Sequence, residues 1–245
     1  MRQLLPHDDT VDPLEAYLAA PRPTGRDRPW VTVGMISTLD GGTTTAGTSG
    51  GLGGPADAQM LRAVRGIADA VIVGAGTVTA EDYGPLRHSD EVRSARAAVG
   101  RSSEQPRLVI VSGRLSIDAS ARVFVDAPVP PLVCTTVGAP AEAVAALEGV
   151  AEVFQAGDDH VDLPAILARL RSDGASVVVS EGGPTLNGAL VDAGVVDEWC
   201  MTIAPLVAGG DSHRIVHGAV PTTDDLEIAS LLTEDGLLFG RWTRR

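Results

Sequence analysis

Lysine is absent from this sequence, and all 19 basic residues are arginines. Mechanisms that depend on lysine, such as Schiff-base chemistry or the attachment of pyridoxal phosphate, are therefore excluded. Positive charge is scarce as well, because 32 acidic residues give the chain of 245 residues a formal net charge of −13. Nucleic-acid-binding proteins need a basic surface, so nucleic acid is not expected as a partner. Any phosphate group has to be bound by arginine or by backbone amides.

Metal-binding side chains are also few. The two cysteines, Cys134 and Cys200, are far apart and lie in apolar runs, which is typical of reduced core residues. Among the five histidines, only His213 and His217 are close in sequence, and they lie in a loop-like segment. A solvated loop is favoured over a metal site there, so no metal is expected.

Long apolar runs are missing too. No segment approaches the 18 apolar residues expected of a membrane-spanning helix. The first ten residues, MRQLLPHDDT, contain a proline and acids where a signal peptide needs a continuous apolar stretch. We therefore expect a soluble, cytoplasmic protein with no membrane partner. With 44% hydrophobic residues, the chain can bury a large core as one domain or two tightly packed lobes.

The most informative motif present is VVVSEGGPTLNGAL, at residues 177–190. Its three consecutive valines predict a strand that is buried on both faces. Gly182 and Gly183 allow a sharp turn, and Pro184 suits the first turn of a helix. The free amides at such a helix start favour an anion, for example the pyrophosphate of a dinucleotide. An ordinary strand-to-helix turn is the alternative interpretation.

A second glycine turn follows another apolar run, at residues 70–82, AVIVGAGTVTAED. Gly74 and Gly76 leave room for a ligand, and Thr77 offers a hydroxyl. The motif is not the Rossmann fingerprint, because Thr79 occupies the place of the third glycine, and it is not a P-loop, because no lysine follows. Two such turns at strand ends favour one extended ligand at the carboxyl edge of a sheet.

The alternation of short apolar runs with helical segments predicts an α/β fold with a mostly parallel sheet. Strands are predicted at residues 31–37, 70–73, 107–111, 122–125, 132–135, 152–155, 177–179 and 198–203. Helices are predicted at residues 13–20, 55–65, 139–147 and 163–171 and after the glycine turn of residues 182–183. Residues 226–232 and 237–242 flank Asp235–Gly236 and predict an antiparallel hairpin. Residues 1–28 are interpreted as an N-terminal arm, residues 29–245 as one domain and residues 81–105 as a surface loop with some helix.

Four motifs occur in a characteristic order: TLDG (38–41), GAGTV (74–78) with EDYGPL (81–86), EGGPTL (181–186) and VDEWCMTIAPLVAGG (196–210). With them the chain resembles the riboflavin-biosynthesis pyrimidine reductase family, from residue 29 to residue 242. That family corresponds to the C-terminal reductase domain of the bifunctional riboflavin deaminase-reductase. The resemblance implies a three-layer dihydrofolate reductase-like fold, an NADPH-dependent reductase of a small heterocyclic molecule, and a homodimer.

The resemblance also implies which residues hold NADPH. Contacts are expected from the two glycine loops, at Gly74, Ala75, Gly76, Thr77, Val78, Gly182, Gly183, Pro184, Thr185 and Leu186. Ser112 and Arg114, which follow another predicted strand in VSGR, are candidates for the adenosine 2′-phosphate because a guanidinium group suits a phosphate. Arg114 is equally compatible with a plain surface charge.

Substrate is expected at the end of the first strand of this domain. Asp40 is the first candidate to orient or protonate it, and the alternative is that Asp40 caps its own turn. Asp82 is the second catalytic candidate, with a plain loop acid as the alternative. Thr38, Ser49 and Glu181 are candidates for substrate binding, and Glu181 is interpreted as a partner of backbone or ribose hydroxyl groups rather than as a catalytic acid.

Two positions depart from the family pattern. Members that reduce the ribosylaminopyrimidine tend to carry lysine where this chain has Gly34, and the usual serine is Thr38. The first hypothesis is a 5-amino-6-(5-phosphoribosylamino)uracil reductase-like enzyme. The alternatives are a dihydrofolate- or pterin-type reductase of the same fold and a non-catalytic NADPH-binding protein. Arg62 and Arg65 lie three apart on a predicted helix, and a solvated surface is favoured for both over phosphate binding.

Overall fold

The computed structural model describes residues 1–23, 25–45 and 47–245, in which helices alternate with strands. The strands are β1 (Arg2–Leu5), β2 (Asp9–Thr10), β3 (Trp30–Thr38), β4 (Ala70–Gly74), β5 (Arg107–Val111), β6 (Leu132–Thr135), β7 (Glu152–Gln155), β8 (Val177–Ser180), β9 (Glu198–Ala204), β10 (Leu226–Glu234) and β11 (Leu237–Arg244). The helices are α1 (Pro13–Ala19), α2 (Pro55–Gly66), α3 (Ala75–Ala80), α4 (Asp90–Ala98), α5 (Ala141–Ala145), α6 (Leu163–Ser172) and α7 (Pro184–Asp192).

These strands form one sheet in the order β2-β1-β10-β11-β9-β3-β8-β4-β5-β6-β7. The strands from β9 to β7 in this order are mutually parallel. The strands β11, β10, β1 and β2 continue the sheet in antiparallel fashion. Asp235 and Gly236 both have positive φ, 51° and 79°, as a tight hairpin turn requires. The predicted mostly parallel sheet with an antiparallel C-terminal hairpin is confirmed.

Helices cover both faces of the parallel part and give three layers. On one face, Leu14 of α1, Met60 of α2 and Val92 of α4 belong to one buried cluster. On the other face, Leu167 of α6 and Leu190 of α7 belong to a second cluster. The three valines of β8 alternate between these clusters and are all fully buried. Consecutive β-branched residues therefore mark a central strand here, as expected.

One predicted element is wrong. Residues 122–125 do not form a strand, because Arg122–Phe124 is a short 3₁₀ helix. Val123 and Phe124 are buried in the core, so the apolar run is explained by packing. The edge of β5 is already paired with β6, which leaves this segment no ladder partner there. The polar stretch 81–105 contains α4, which begins at a cap where the Ser89 hydroxyl accepts a hydrogen bond from the amide of Val92.

The first 28 residues contact the rest of the chain closely. Strand β1 pairs with β10, and α1 packs against α2. Arg22 donates two hydrogen bonds of 2.8 Å to the carboxylate of Glu198, and Arg28 donates one of 2.6 Å to Asp197. The division into an arm and one domain stays a prediction. Within the described residues, no helix has the length and apolarity needed to cross a membrane.

Candidate active site

A cavity of about 880 Å³ lies beside the carboxyl ends of β4 and β8. Helix α2 forms one wall, and β3 and β9 form another. The glycine turns after β4 and β8 meet at its edge. The residues that line it include Gly34, Met35, Ser49, Asp57, Met60, Arg65, Gly76, Thr77, Glu81, Asp82, Tyr83, Arg122, Glu181, Gly183, Pro184, Thr202 and His213.

The two predicted cofactor loops are in direct contact. The amide of Gly74 donates a hydrogen bond of 2.8 Å to the carbonyl oxygen of Gly182. A Cβ atom added at Gly183 would lie 2.6 Å from Oγ1 of Thr77, so a side chain there would collide with the neighbouring loop. Gly182 has a φ of +82°, which favours glycine. The absence of Cβ atoms lets the two turns lie against each other and leaves open space over Gly76.

Both helices that follow these turns, α3 and α7, begin without a side-chain cap. The amides of a first helical turn have no acceptor inside the helix, so those of the nine-residue α7 are free for an anion. The glycine turns and the uncapped helix therefore fit the pyrophosphate of a nicotinamide dinucleotide.

The cavity wall contains a hydrogen-bonded cluster of three side chains, Arg65, Tyr83 and Glu181. Arg65 donates two hydrogen bonds of 2.6 Å to the two carboxylate oxygens of Glu181, and the Tyr83 hydroxyl donates a third of 2.7 Å. Burial and then the adjacent carboxylate raise the pKa of Tyr83 well above its usual value. Against the lowering effect of burial, the charge of Glu181 raises the pKa of Arg65. The cluster therefore keeps a cation and a phenol donor at the cavity wall over the whole physiological pH range.

The expectation of a solvated Arg65 is thus wrong. The Arg65 side chain is only 33% exposed, and the Glu181 side chain that it binds is 4% exposed. Arg62 follows the expectation, because it is half exposed and pairs with the exposed Glu91 at 3.4 Å. The spacing of the two arginines shows that they share a helix face, but it does not say which one meets a buried carboxylate on another element.

Asp57, a cavity residue that the sequence analysis missed, is the third residue of α2. Burial raises the pKa of its carboxyl above the usual value, and a hydrogen bond with the Thr202 hydroxyl partly opposes this shift. A Cβ atom at Gly53 would lie 2.4 Å from Oδ2 of Asp57, so a glycine makes room for this carboxyl. An acidic residue in the first turn of a helix is a common feature, so no sequence pattern distinguishes Asp57 from other such residues.

Asp40 lies outside the cavity lining. Its carboxylate accepts hydrogen bonds from the Thr38 hydroxyl at 2.5 Å and from the amides of Ala208 and Gly209 at 3.1 and 2.8 Å. These bonds, that of Thr38 above all, lower its pKa to about 2. Asp40 therefore connects the turn after β3 to the loop after β9 as a permanent anion. Its catalytic role stays a prediction.

The other predicted site residues divide into two groups. The cavity brings together Ser49, Gly76, Thr77, Asp82, Glu181, Gly183 and Pro184. Apart from its lining lie Thr38, Asp40, Gly74, Ala75, Val78, Ser112, Arg114, Gly182, Thr185 and Leu186. Of these, Val78 and Leu186 are buried in the core behind the turns. Ser112 is buried, and its hydroxyl accepts a hydrogen bond from the amide of Ser116, whereas Arg114 is exposed. All these functional roles stay predictions.

Two further residues that line the cavity are Gly34 and His213. A Cβ atom at Gly34 would lie 3.0 Å from Cγ1 of Val64, so even an alanine is tight at this position. His213 also lines the cavity, and its ring centroid lies 4.5 Å from that of His217. In the described part of the chain, no group of three or more metal-binding side chains gathers.

Comparison with known proteins identifies the family to which this chain belongs. Residues 29–235 match the model of the RibD C-terminal domain. The 2,5-diamino-6-ribosylamino-4(3H)-pyrimidinone 5′-phosphate reductase of Methanothermobacter thermautotrophicus is 35% identical over 192 residues, which cover 78% of this chain and 85% of that protein. The enzyme of the same name from Archaeoglobus fulgidus is 32% identical over 193 residues, with 78% and 87% covered.

Solved structures agree on the fold. A pyrimidine reductase-like protein from Corynebacterium diphtheriae is similar with a TM-score of 0.84 and 28% identity, over 96% of this chain and 99% of that one. A dihydrofolate reductase from Enterococcus faecalis is similar with a TM-score of 0.51 and 12% identity, over 88% of this chain and 96% of that one. The second likeness concerns the fold alone and confirms the predicted dihydrofolate reductase-like architecture.

Proposed function

This chain belongs to the RibD C-terminal domain family, and from this membership we propose that it reduces a 6-ribosylaminopyrimidine 5′-phosphate with NADPH. It is a pyrimidine reductase of riboflavin biosynthesis. The observation that carries the proposed substrate is the cavity in which two cofactor loops meet a partly exposed arginine. A dihydrofolate- or pterin-type reductase is less well supported, because the likeness to dihydrofolate reductase is one of fold. A non-catalytic binder is also less well supported, because the relatives are named as reductases.

The reaction defines what the chain must supply. A ribosylamino group holds its C1′ carbon at the oxidation level of an aldehyde. Reduction therefore requires that the C1′–O4′ bond breaks, that C1′ receives a hydride and that O4′ receives a proton. When bound, a reduced nicotinamide supplies the hydride. The protein has to hold C1′ in position, exclude water and provide the proton.

For the cofactor, a nicotinamide dinucleotide follows from the family, and NADPH is our more specific proposal. The first-turn amides of α7 and the glycine turns after β4 and β8 would hold the pyrophosphate. Arg114 is exposed one turn beyond the end of β5, with a guanidinium group suited to a 2′-phosphate. Ser112, two residues earlier in the chain, is proposed as a second, hydroxyl partner of this phosphate.

For the substrate phosphate, we propose Arg65 as the main partner. Gly34 provides no cation, and the cavity offers two arginines, Arg65 and Arg122. Arg65 binds Glu181 through Nε and Nη2, which leaves Nη1 directed to other acceptors. The planar guanidinium group can hold a carboxylate and a phosphate oxygen together because its five N–H groups point in different directions.

The oligomeric state belongs to the same proposal. On the sheet face opposite α2, β9 and β11 present a row of apolar side chains, among them Trp199, Ile203 and Leu238. Leu238 is 37% exposed, and Ile228 of the neighbouring strand is 44% exposed. We propose that this face joins two copies in a homodimer located in the cytoplasm. Sedimentation at a mass of one chain, 25.2 kDa, would refute the dimer.

The test of the function is NADPH oxidation with three compounds. The first two are 5-amino-6-(5-phosphoribosylamino)uracil and 2,5-diamino-6-ribosylamino-4(3H)-pyrimidinone 5′-phosphate, which differ at one ring position. The third is dihydrofolate. We expect turnover of at least one pyrimidine and none of dihydrofolate. Turnover of dihydrofolate alone, or NADPH binding without any turnover, would refute the proposed substrate.

A further inference from the structure

Four carboxyl groups line the cavity, and three of them already have hydrogen-bond or ion-pair partners. Glu181 is held by Arg65 and Tyr83. Glu81 accepts a hydrogen bond of 2.8 Å from the amide of Ser49. The carboxylate of Asp82, which is 79% exposed, pairs with Arg122 at 3.4 Å. Each of these three groups is therefore already engaged by a donor or a cation on another residue.

The fourth carboxyl group, that of Asp57, differs from the others. Within the part of the chain that the structure describes, Asp57 forms no ion pair, and burial raises the pKa of its carboxyl while the Thr202 hydroxyl partly opposes this shift. It lies on α2 opposite the β9 wall, so it faces the space between these elements. Gly53 leaves its Oδ2 atom uncovered by a side chain.

We propose that Asp57 is the general acid of the reaction, and that it donates its proton to O4′ of the ribosylamine. The inference rests on the proposed function. The nitrogen lone pair forms the C1′=N bond while the C1′–O4′ bond breaks, and O4′ takes the proton of Asp57. C1′ then accepts a hydride, which a bound reduced nicotinamide would supply, and the electrons of the C=N π bond return to nitrogen. Solvent restores the proton of Asp57 after release of the ribityl product.

The assignment has a definite consequence for pH dependence. A group that must be protonated supports the rate below its pKa and loses activity as the pH rises through it. Burial raises the pKa of Asp57, so activity should be lost at a higher pH than an ordinary aspartate would cause. This loss forms the alkaline limb of the pH profile. The other titratable or charged side chains that line the cavity are Tyr17, Arg65, Glu81, Asp82, Tyr83, Arg122, Glu181, Cys200 and His213. Only a mutation of Asp57 itself separates its contribution to the pH profile from those of these other groups.

The deciding variant is Asp57→Asn, which keeps the shape of the side chain and removes the proton. We expect kcat to fall by about 100-fold or more, with an unchanged Kd for NADPH by fluorescence titration. The alkaline limb of the pH profile assigned to Asp57 should disappear from the residual activity. The matched control is Asp90→Asn, another acidic residue in a first helical turn, whose side chain is 98% exposed and does not line the cavity; it should retain wild-type rates.

A second variant, Thr202→Val, tests the assignment without removing the carboxyl group. The Thr202 hydroxyl favours the ionised form of Asp57, so its loss should move the alkaline limb to higher pH. A purely structural role of Asp57 would leave the position of the limb unchanged. An Asp57→Asn enzyme with wild-type kcat, or with the wild-type limb, would overturn the inference while leaving the proposed function intact. A wild-type enzyme that reduces neither pyrimidine would overturn both.

Discussion

Arg65 on α2 and Glu181 after β8 form a two-point ion pair, with Nε–Oε1 and Nη2–Oε2 distances of 2.6 Å. The pair connects the helix that forms the cavity wall to the strand end that starts the cofactor turn. A carboxylate beside a site for phosphate groups would repel them if it were free. Bound to Arg65, Glu181 instead positions a cation between the turn after β8 and the cavity.

The first prediction concerns this pair as a stabilising contact. Glu181→Gln leaves Arg65 without its charged partner in a largely buried site, so we expect the free energy of unfolding to fall by about 2 kcal/mol. Urea denaturation measures the change. Arg62→Gln on the same helix breaks an exposed pair and should cost less than about 0.5 kcal/mol. Equal losses in the two variants would contradict the assigned strength of the Arg65–Glu181 pair.

The second prediction concerns the substrate phosphate. Arg65→Gln should raise KM for the phosphorylated substrate by roughly 10- to 100-fold, because a charge-assisted hydrogen bond of about 1.5–3 kcal/mol is lost. The Kd for NADPH should not change. The dephosphorylated nucleoside should show the same KM with Arg65→Gln as with wild-type enzyme. If the nucleoside is affected as strongly as the phosphate ester, Arg65 binds another part of the substrate.

The third prediction concerns the contact between the two glycine turns. Gly183→Ala places a Cβ atom 2.6 Å from Oγ1 of Thr77, so one turn has to move away. We expect the Kd for NADPH to rise by about tenfold or more, because a loss of about 1.4 kcal/mol in binding free energy corresponds to a tenfold higher Kd. Gly138→Ala, at a glycine with open space around it, serves as the control. The combination with Thr77→Ala should restore part of the affinity if the collision is the cause.

The fourth prediction concerns cofactor choice. If Arg114 binds the 2′-phosphate, Arg114→Ala should raise KM for NADPH by about tenfold and leave KM for NADH unchanged. Steady-state kinetics with both cofactors give the ratio. An unchanged ratio would show that Arg114 is a surface charge and that another group selects the cofactor.

The sequence predicted those parts of this structure that depend on local chemistry. The valines of β8, the Asp235–Gly236 turn and the uncapped start of α7 follow from residue type and spacing, and all three are found. The Arg65–Glu181 pair joins residues 116 positions apart, and no local pattern indicates it. The raised pKa of Asp57 likewise results from its burial in the folded chain. Side chains whose roles depend on distant partners therefore required the structure.

The last prediction concerns stability in acid and begins at His88. This side chain is 5% exposed; its Nε2 lies 2.9 Å from the carbonyl oxygen of Arg65, and Nδ1 is buried without a partner. Burial lowers its pKa from 6.5 to about 4. The unfolded chain therefore binds a proton at a pH where the folded chain does not. Stability contributed by the neutral ring is complete above the unfolded pKa and falls as the pH drops from about 6.5 towards 4.

We expect the unfolding free energy of the wild type to lose about 3 kcal/mol over this interval through His88 alone. His88→Gln should lack that component, although it is less stable at neutral pH because the packing and the bond to Arg65 change. Carboxyl groups contribute to acid unfolding in both proteins, so the informative quantity is the difference between their pH profiles. His160→Gln, at an exposed histidine, should reproduce the wild-type slope. A His88→Gln profile parallel to that of the wild type between pH 7 and 4 would mean that His88 titrates normally and that its burial does not oppose protonation.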